Sequence, residues 1–142
     1  MTKSDTDLIG KRLLRIEASV QELRTVGNPA LIRSDIREER FFEHTLQIAI
    51  QSMLDVASHI VSAEVMGEPR SNHDLIDMLA RYRWIPLDLA PTLHAMIGFR
   101  NILVHGYETV DLAVVEGVAL HRLDDLLGFV RAIRLRMGGE LS

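Results

Sequence analysis

The apolar positions of this chain recur with helical spacing along most of its length. Near the start, five of them follow one another at steps of four, three, four and three: Ile9, Leu13, Ile16, Val20 and Leu23. This spacing forms a single stripe on one helix, which we expect to run from about Ser4 or Asp5 to Val26. Residues 27–29, Gly-Asn-Pro, then break the pattern, with the glycine as a left-handed cap and the proline unable to continue a helix.

A second, longer helix is predicted after this turn. Asp35, Glu38 and Glu39 place negative charge in its first turns, where the helix dipole favours it. Its apolar residues are too many for one narrow stripe, so we expect this helix to be buried from more than one side. It should begin at Ser34 or Asp35 and end at Gly67.

A shorter third helix and a fourth helix follow. Ser71 or Asn72 is the expected cap of the third helix, which ends before Trp84. The fourth helix is expected to run from about Leu87 or Pro91 to Val104, with Gly106 as its C-terminal cap. Its inward-facing residues are predicted to be Leu93, Met96, Ile97, Ile102 and Leu103.

The last apolar segment predicts one long helix from about Val110 to Arg136. Its apolar positions are Leu112, Val115, Val118, Leu123, Leu126, Leu127, Val130 and Ile133. No strand-like alternation of comparable strength occurs in the sequence. The predicted fold class is therefore all-α, an antiparallel helical bundle of about five helices that forms a single domain over residues 1–142.

Length and composition fit one globular domain. The chain has 142 residues, of which 47% are hydrophobic and 25% charged, and it lacks an apolar run of the roughly 18 residues that a membrane span needs. Its start has no apolar core followed by a cleavage site, so we expect a cytoplasmic protein with no membrane partner. The first, second and last helices carry more hydrophobic surface than one small bundle hides, which favours a symmetric homodimer.

Candidate metal and cofactor sites are few. The chain has no cysteine, which leaves no thiolate nucleophile, disulfide or cysteine metal site. Asp55 and His59 have the spacing of paired helix ligands, but such a pair without a third ligand is more often hydrogen-bonded or on the surface. His73, His94 and His121 indicate no function by themselves, and no glycine-rich phosphate loop is present. We therefore expect no metal and no cofactor.

Residues 100–107, Arg-Asn-Ile-Leu-Val-His-Gly-Tyr, collect groups suited to phosphate chemistry. The guanidinium of Arg100 can clamp a phosphate, the imidazole of His105 can move a proton near neutral pH, and the phenol of Tyr107 can hydrogen-bond or be modified. On a helix, Arg100 and His105 point about 140° apart. Either the arginine side chain wraps across the helix end, or two subunits share one site. Because the formal net charge is −4, any RNA site must be local.

Asn101 and His105 have i,i+4 spacing, so the asparagine is a candidate to orient the imidazole. Ordinary structural roles remain open for the same residues. His105 suits the negative end of a helix dipole, Arg100 has acids such as Asp77 to pair with, and Tyr107 is compatible with a core aromatic whose hydroxyl reaches the surface.

The same octapeptide carries a family resemblance. It is preceded by a long helix with Arg-Phe-Phe-Glu-His-Thr-Leu-Gln-Ile-Ala-Ile-Gln at residues 40–51 and followed by Thr109, Val110 and Asp111. Together these segments resemble the HepT-like branch of the HEPN superfamily over nearly the whole chain. That branch has an arginine, four residues, a histidine, one residue and a tyrosine, and every position of the pattern is filled here.

The resemblance implies a metal-independent ribonuclease that acts as the toxin of a toxin–antitoxin pair and works as a homodimer with both motifs in one cleft. Arg100 and His105 would be catalytic, with Asn101 in support, and the substrate RNA's own 2'-hydroxyl would be the nucleophile. The implied partners are RNA and a nucleotidyltransferase antitoxin, which would silence the nuclease by adenylylating Tyr107, and not DNA. The alternative is a non-catalytic HEPN module that docks on a nucleotidyltransferase and helps it to bind substrate.

Overall fold

Six α-helices form the part of the chain that this computed structural model describes, residues 1–105 and 110–138. Short 3-10 turns at Pro29–Leu31 and Leu87–Leu89 precede the second and fourth helices. The helices are α1 (Lys3–Thr25), α2 (Ile36–Ala63), α3 (Asn72–Arg81), α4 (Ala90–His105), α5 (Leu112–His121) and α6 (Leu123–Met137). The predicted all-α class is confirmed, although the bundle has six helices where about five were expected. Within the described ranges, no helix combines the length and the apolar character needed to cross a membrane.

Side-chain caps explain where the first three helices begin. The Thr2 hydroxyl accepts a hydrogen bond from the backbone N–H of Asp5, and the Asp5 carboxylate accepts one from the N–H of Thr2. This reciprocal capping box starts α1 close to its predicted position. Asp35 caps α2 by accepting from the backbone N–H of Arg37, and Ser71, an expected cap, caps α3 by accepting from that of Asp74.

Two predicted helix boundaries change for reasons of backbone geometry. The prediction that α2 ends at Gly67 is wrong, because Val65 already has a φ of 52° and the helix stops at Ala63. Gly27 is not a left-handed cap either, since the glycines with positive φ in the described ranges are Gly67 and Gly138. A Cβ at Gly27 would lie 2.6 Å from Cζ of Phe42. Glycine is therefore required there by the close approach of an aromatic ring.

The predicted last helix is in fact two helices that meet at Arg122. Asp111 caps the first of them by accepting from the N–H of Ala113. Asp124 and Asp125 then place negative charge in the first turn of α6, where a new helix start favours it. The break allows α5 to pack against α2 while α6 packs mainly against α1.

Helix α2 lies at the centre of the bundle and contacts all five other helices. It contributes the largest share of the buried side chains, including Phe42, Leu46, Ile50, Met53 and Ile60. The stripe predicted on α1 is buried throughout. On α4, Leu93, Met96 and Ile97 are buried as predicted, but Ile102 is 48% exposed. The apolar surface near the end of α4 therefore reaches solvent.

Candidate active site

Arg100 and His105 lie in the C-terminal half of α4, which ends at His105. A step of five residues on an α-helix separates them by about 7.5 Å along the axis and about 140° around it. The half-buried Arg100 side chain turns towards α2, where its Nη2 donates a hydrogen bond to Oε1 of Gln51 over 2.7 Å. His105 is exposed at the end of the helix. The two groups therefore point in different directions, as their spacing predicts.

A chain of polar contacts holds the amide of Gln51 in place. Its Nε2 donates to Oδ1 of Asp55 over 2.9 Å, and Oδ2 of Asp55 lies 3.8 Å from Nε of Arg12. Because a carboxylate only accepts and a guanidinium only donates, this arrangement requires the amide oxygen to face Arg100. The chain Arg12–Asp55–Gln51–Arg100 thus links α1, α2 and α4 and orients the guanidinium.

Arg100 keeps hydrogen-bonding capacity after these contacts. Its Nη1 donates to Oδ1 of Asn101 over 3.4 Å, which is a long and weak bond. Its Nε is buried and has no hydrogen-bond partner within the described part of the chain. The buried Nε is closed to a substrate, but Nη1 and Nη2 each keep a second N–H beyond these contacts, and an anionic oxygen is the acceptor that a guanidinium binds most strongly. The side chain is therefore suited to receive a phosphate.

The neighbours of His105 differ from those expected. Asn101 and His105 are not hydrogen-bonded to each other, and the Asn101 side-chain oxygen accepts from Arg100. Asp77, the acid considered as an ordinary partner for Arg100, is bonded to His94 over 2.7 Å. Tyr107, and Gly106 as the helix cap, lie outside the described residues. The catalytic and supporting roles of Arg100, His105 and Asn101 remain predictions.

An open groove of about 930 Å³ lies beside the C-terminal end of α4, between α2 and the start of α5. Its lining consists of Glu39, Arg40, Glu43, His44, Gln47, Leu103, Val110 and Leu112. A smaller groove of about 260 Å³ shares His44 and Gln47 with it and continues along α1 and α2 past Gln51. Arg100 and His105 are not part of either lining, but the second groove reaches the amide that holds Arg100. Together the two grooves form a track along α2.

The track exists because α2 carries a polar stripe on an otherwise apolar helix. Arg40, His44, Gln47, Gln51 and Asp55 follow one another at steps of four, three, four and four, which places them on one face. Apolar residues dominate the pattern of α2, so this polar stripe could be recognised only from its helical spacing. Gln51 in particular was missed as a site residue.

Charge along the track is mixed. The pKa of the Glu43 carboxyl is raised, first by burial and then by the neighbouring carboxylate of Glu39, while Arg40 acts in the opposite direction. Towards Gln51, the exposed side chains of Arg12 and Arg15 add positive charge. A phosphate would be favoured at that end of the track and opposed at the acidic end.

Asp55 and His59, the weak candidates for a metal site, contact different partners in the structure. Nε2 of His59 lies 2.6 Å from Oδ1 of Asp5, and Asp55 is engaged by Gln51 and Arg12. Both residues are thus engaged in polar contacts with other side chains. Across residues 1–105 and 110–138, histidines and carboxylates do not gather in groups of three or more with metal-binding geometry.

Comparison with known proteins identifies the family. The family model described as ribonuclease HepT-like matches residues 14–133. The chain belongs to this family. It is 29% identical over 129 residues to the mRNA nuclease HepT of Shewanella oneidensis, an alignment that covers 90% of this chain and 97% of that protein. It is 28% identical over 113 residues to the tRNA nuclease HepT of Aphanizomenon flos-aquae, with 78% and 77% covered.

Solved structures agree with this membership in the HepT-like family. The tri-AMPylated HEPN toxin of Shewanella oneidensis in complex with MNT antitoxin superposes with a TM-score of 0.85 at 28% sequence identity. The match covers 95% of this chain and 99% of that one. The predicted resemblance to HepT-like HEPN proteins is therefore confirmed by sequence and by structure.

Proposed function

We propose that this chain is a ribonuclease that acts as the toxin of a toxin–antitoxin pair and is neutralised by a nucleotidyltransferase antitoxin. Relatives named as mRNA and tRNA nucleases, and a HEPN toxin in complex with MNT antitoxin, support this proposal. The observation that carries it is the Arg100 guanidinium, which Gln51 holds by one end while Nη1 and Nη2 each keep a further N–H for an anion. An RNA substrate would place this activity in the cytoplasm.

The proposed reaction needs no metal. The ribose 2'-hydroxyl loses its proton and attacks the adjacent phosphorus, while the bond from phosphorus to the 5'-oxygen breaks and that oxygen takes up a proton. The products are a 2',3'-cyclic phosphate and a free 5'-hydroxyl. Arg100 stabilises the charge that grows on the non-bridging oxygens, and His105 transfers a proton in one of the two steps. Asn101 supports the site by its contact with Arg100.

A homodimer would complete this site. Arg100 and His105 point about 140° apart on one helix, so a second copy related by twofold symmetry is the simplest way to bring an arginine and a histidine to one phosphate. Ile102 lies between them on α4 and is 48% exposed, which is consistent with burial against the partner copy. Sedimentation analysis of purified protein tests the dimer, and Ile102→Glu should shift it towards monomer.

The proposed control point is Tyr107, two residues after His105. Transfer of AMP from ATP to its phenolic oxygen by the antitoxin would release pyrophosphate and add a bulky anion beside the site. That anion would repel the RNA phosphate and occupy its space. Intact-protein mass spectrometry after co-expression with the antitoxin should show one or more added AMP groups, and Tyr107→Phe should abolish the addition. Neutralisation without any added mass would point to occlusion alone.

Cleavage assays with matched variants test the central proposal. Arg100→Ala and His105→Ala should each lower RNA cleavage by at least about 100-fold and abolish growth inhibition, while dimer and antitoxin binding persist. Arg131→Ala and His121→Ala are the controls, because these side chains are exposed on α6 and at the end of α5. End-labelled products should carry a 2',3'-cyclic phosphate. If unmodified wild-type protein leaves a broad set of RNAs intact, the non-catalytic HEPN module becomes the better account.

A further inference from the structure

Two histidines from different helices face each other away from the active site. His73 lies in the first turn of α3, and His94 lies in the first half of α4. Their Nδ1 atoms are 2.8 Å apart, whereas the ring centroids are 4.9 Å apart, and the ring planes differ by 28°. The nitrogens are thus much closer than the ring centres. The two rings point their Nδ1 atoms at one another.

Asp77 determines which nitrogens carry protons. Its Oδ1 lies 2.7 Å from Nε2 of His94. Because a carboxylate can only accept, Nε2 of His94 carries a hydrogen, and in the neutral ring Nδ1 of His94 offers a lone pair. Nδ1 of His73 then donates one proton into the gap between the rings. This assignment follows from the hydrogen-bond network.

We propose that His73 and His94 form a two-imidazole site for a divalent transition metal such as Zn²⁺, which lies between their Nδ1 atoms. The proton on Nδ1 of His73 moves through solvent to Nε2 of the same ring, so that both imidazoles bind the ion in their neutral form. Neutral imidazole is a preferred ligand of Zn²⁺, Cu²⁺ and Ni²⁺. The Asp77 carboxylate would keep its bond to Nε2–H of His94, the arrangement in which an acid orients a metal-binding histidine and raises its basicity.

The geometry needs only a small adjustment to accept the ion. With Zn–N bonds of 2.0–2.1 Å in a tetrahedral site, the two nitrogens would be about 3.3 Å apart, so they would separate by roughly half an ångström from their present 2.8 Å. His73 is exposed and the His94 side chain is 28% exposed, which leaves room for this movement. Water would complete the coordination, since the protein provides two ligands.

The proposed metal site is independent of the proposed nuclease chemistry. His94 and His105 are eleven residues apart on α4, or about 16 Å along the helix axis. A bound ion would connect α3 to the N-terminal half of α4, whereas Arg100 and His105 belong to its C-terminal half. The site would therefore stabilise the helix pair and take no part in cleavage, so its test and that of the ribonuclease proposal can fail separately.

Zn²⁺ titration of untagged protein tests the proposal by calorimetry. We expect one ion per chain and at least a tenfold loss of affinity in His73→Ala and in His94→Ala. Asp77→Asn should lower the Zn²⁺ affinity by about 10- to 100-fold, because replacing the hydrogen-bond partner of a metal-binding histidine typically has an effect of this size. His121→Ala, which removes an exposed histidine elsewhere, should bind as the wild type does. Zn²⁺ should also raise the melting temperature of the wild type and leave that of His73→Ala unchanged.

Three results would overturn this site. The first is equal Zn²⁺ binding by wild type and the His73→Ala/His94→Ala double variant, which would place the ion elsewhere. The second is a failure of the wild type to bind Zn²⁺, Ni²⁺ or Cu²⁺ at submillimolar concentration, which would leave the pair as a hydrogen bond only. The third is a loss of affinity in His121→Ala as large as in His73→Ala. Because His73 is exposed, its alanine variant should fold even if His94→Ala does not.

Discussion

Arg100 is held by the neutral side-chain amide of Gln51, with 2.7 Å between Nη2 and Oε1. A neutral acceptor orients a guanidinium without cancelling its charge, whereas a carboxylate in the same position would compete with a substrate phosphate. The acid of this network, Asp55, is one contact further away and acts on Gln51 through Nε2. The arrangement therefore combines a fixed orientation with a charge that stays available to an anion.

Replacing Gln51 should distinguish the effect of the orientation of Arg100 on RNA cleavage from the effect of its charge. Gln51→Leu removes the acceptor and should lower kcat/KM for RNA cleavage by about 10- to 100-fold, because misplacing a catalytic group by an ångström can cost that much. Gln51→Glu keeps an acceptor but pairs the charge of Arg100, so it should raise KM more than it lowers kcat. Steady-state kinetics on a defined RNA measures both.

The matched control for Gln51 is Gln21→Leu, which changes an exposed glutamine on α1. It should leave both kinetic constants unchanged. The kcat/KM of Asp55→Asn should lie between those of the wild type and Gln51→Leu, because its amide oxygen still accepts from Gln51 but no longer attracts Arg12. If Gln51→Leu cleaves RNA at the wild-type rate, the contact between α2 and α4 is structural and has no part in positioning Arg100.

Local signals in the sequence accounted for most of the fold. The heptad-like stripe of α1 is buried, and Ser71 caps the helix that it was expected to cap. Such signals depend on a few neighbouring residues, so sequence alone contains them. The division of the last helix at Arg122 depends on α6 packing mainly against α1 while α5 packs against α2 and the turn at Pro29–Leu31. That is a tertiary effect which the apolar pattern does not show.

The candidate site could be predicted only in part for the same reason. Arg100 and His105 could be predicted as site residues because they lie five residues apart in one motif. Gln51 is 49 residues from Arg100 along the chain, so their contact requires the packing of α2 against α4. The exposure of Ile102, which was expected to face the core, also depends on which surface the neighbouring helices leave open.

Gly27→Ala should destabilise the fold. The new Cβ would lie 2.6 Å from Cζ of Phe42 and 2.8 Å from the carbonyl oxygen of Leu23, and Phe42 is fully buried. Overpacking of this kind costs about 1–3 kcal/mol. Gly117→Ala is the control, because a Cβ in that position within α5 meets nothing within 4 Å and alanine favours a helix by about 0.5–1 kcal/mol. In urea unfolding, Gly27→Ala should lower the free energy of unfolding and Gly117→Ala should raise it. Equal changes in the two variants would contradict the close approach at Gly27.

Glu43→Gln should stabilise the protein at neutral pH. Burial and the Glu39 carboxylate raise the pKa of the Glu43 carboxyl, so the fold favours its protonated form and this contribution to stability is lost as pH rises through the raised pKa. Because solvent screens this partly exposed group, we expect a small gain in the free energy of unfolding at pH 7 and no gain near pH 3. Glu22→Gln on the exposed face of α1 is the control. Urea unfolding at both pH values measures the difference, and a gain that does not depend on pH would contradict this explanation.

Asp5→Asn should remove part of the acid sensitivity of the fold. The backbone N–H of Thr2, followed by the His59 imidazole and the Thr2 hydroxyl, lowers the pKa of Asp5 from 3.8 to about 2. A carboxyl with a lowered pKa contributes stability above its unfolded pKa and loses it as pH falls through its folded pKa. The free energy of unfolding of the wild type should therefore exceed that of Asp5→Asn above pH 4, and the difference should disappear as pH falls to about 2. The control is Asp7→Asn, at an exposed position on α1, whose free energy of unfolding should differ from that of the wild type by the same amount at every pH. If the difference between the wild type and Asp5→Asn is also independent of pH, the Asp5 carboxylate does not stabilise the start of α1 in this way.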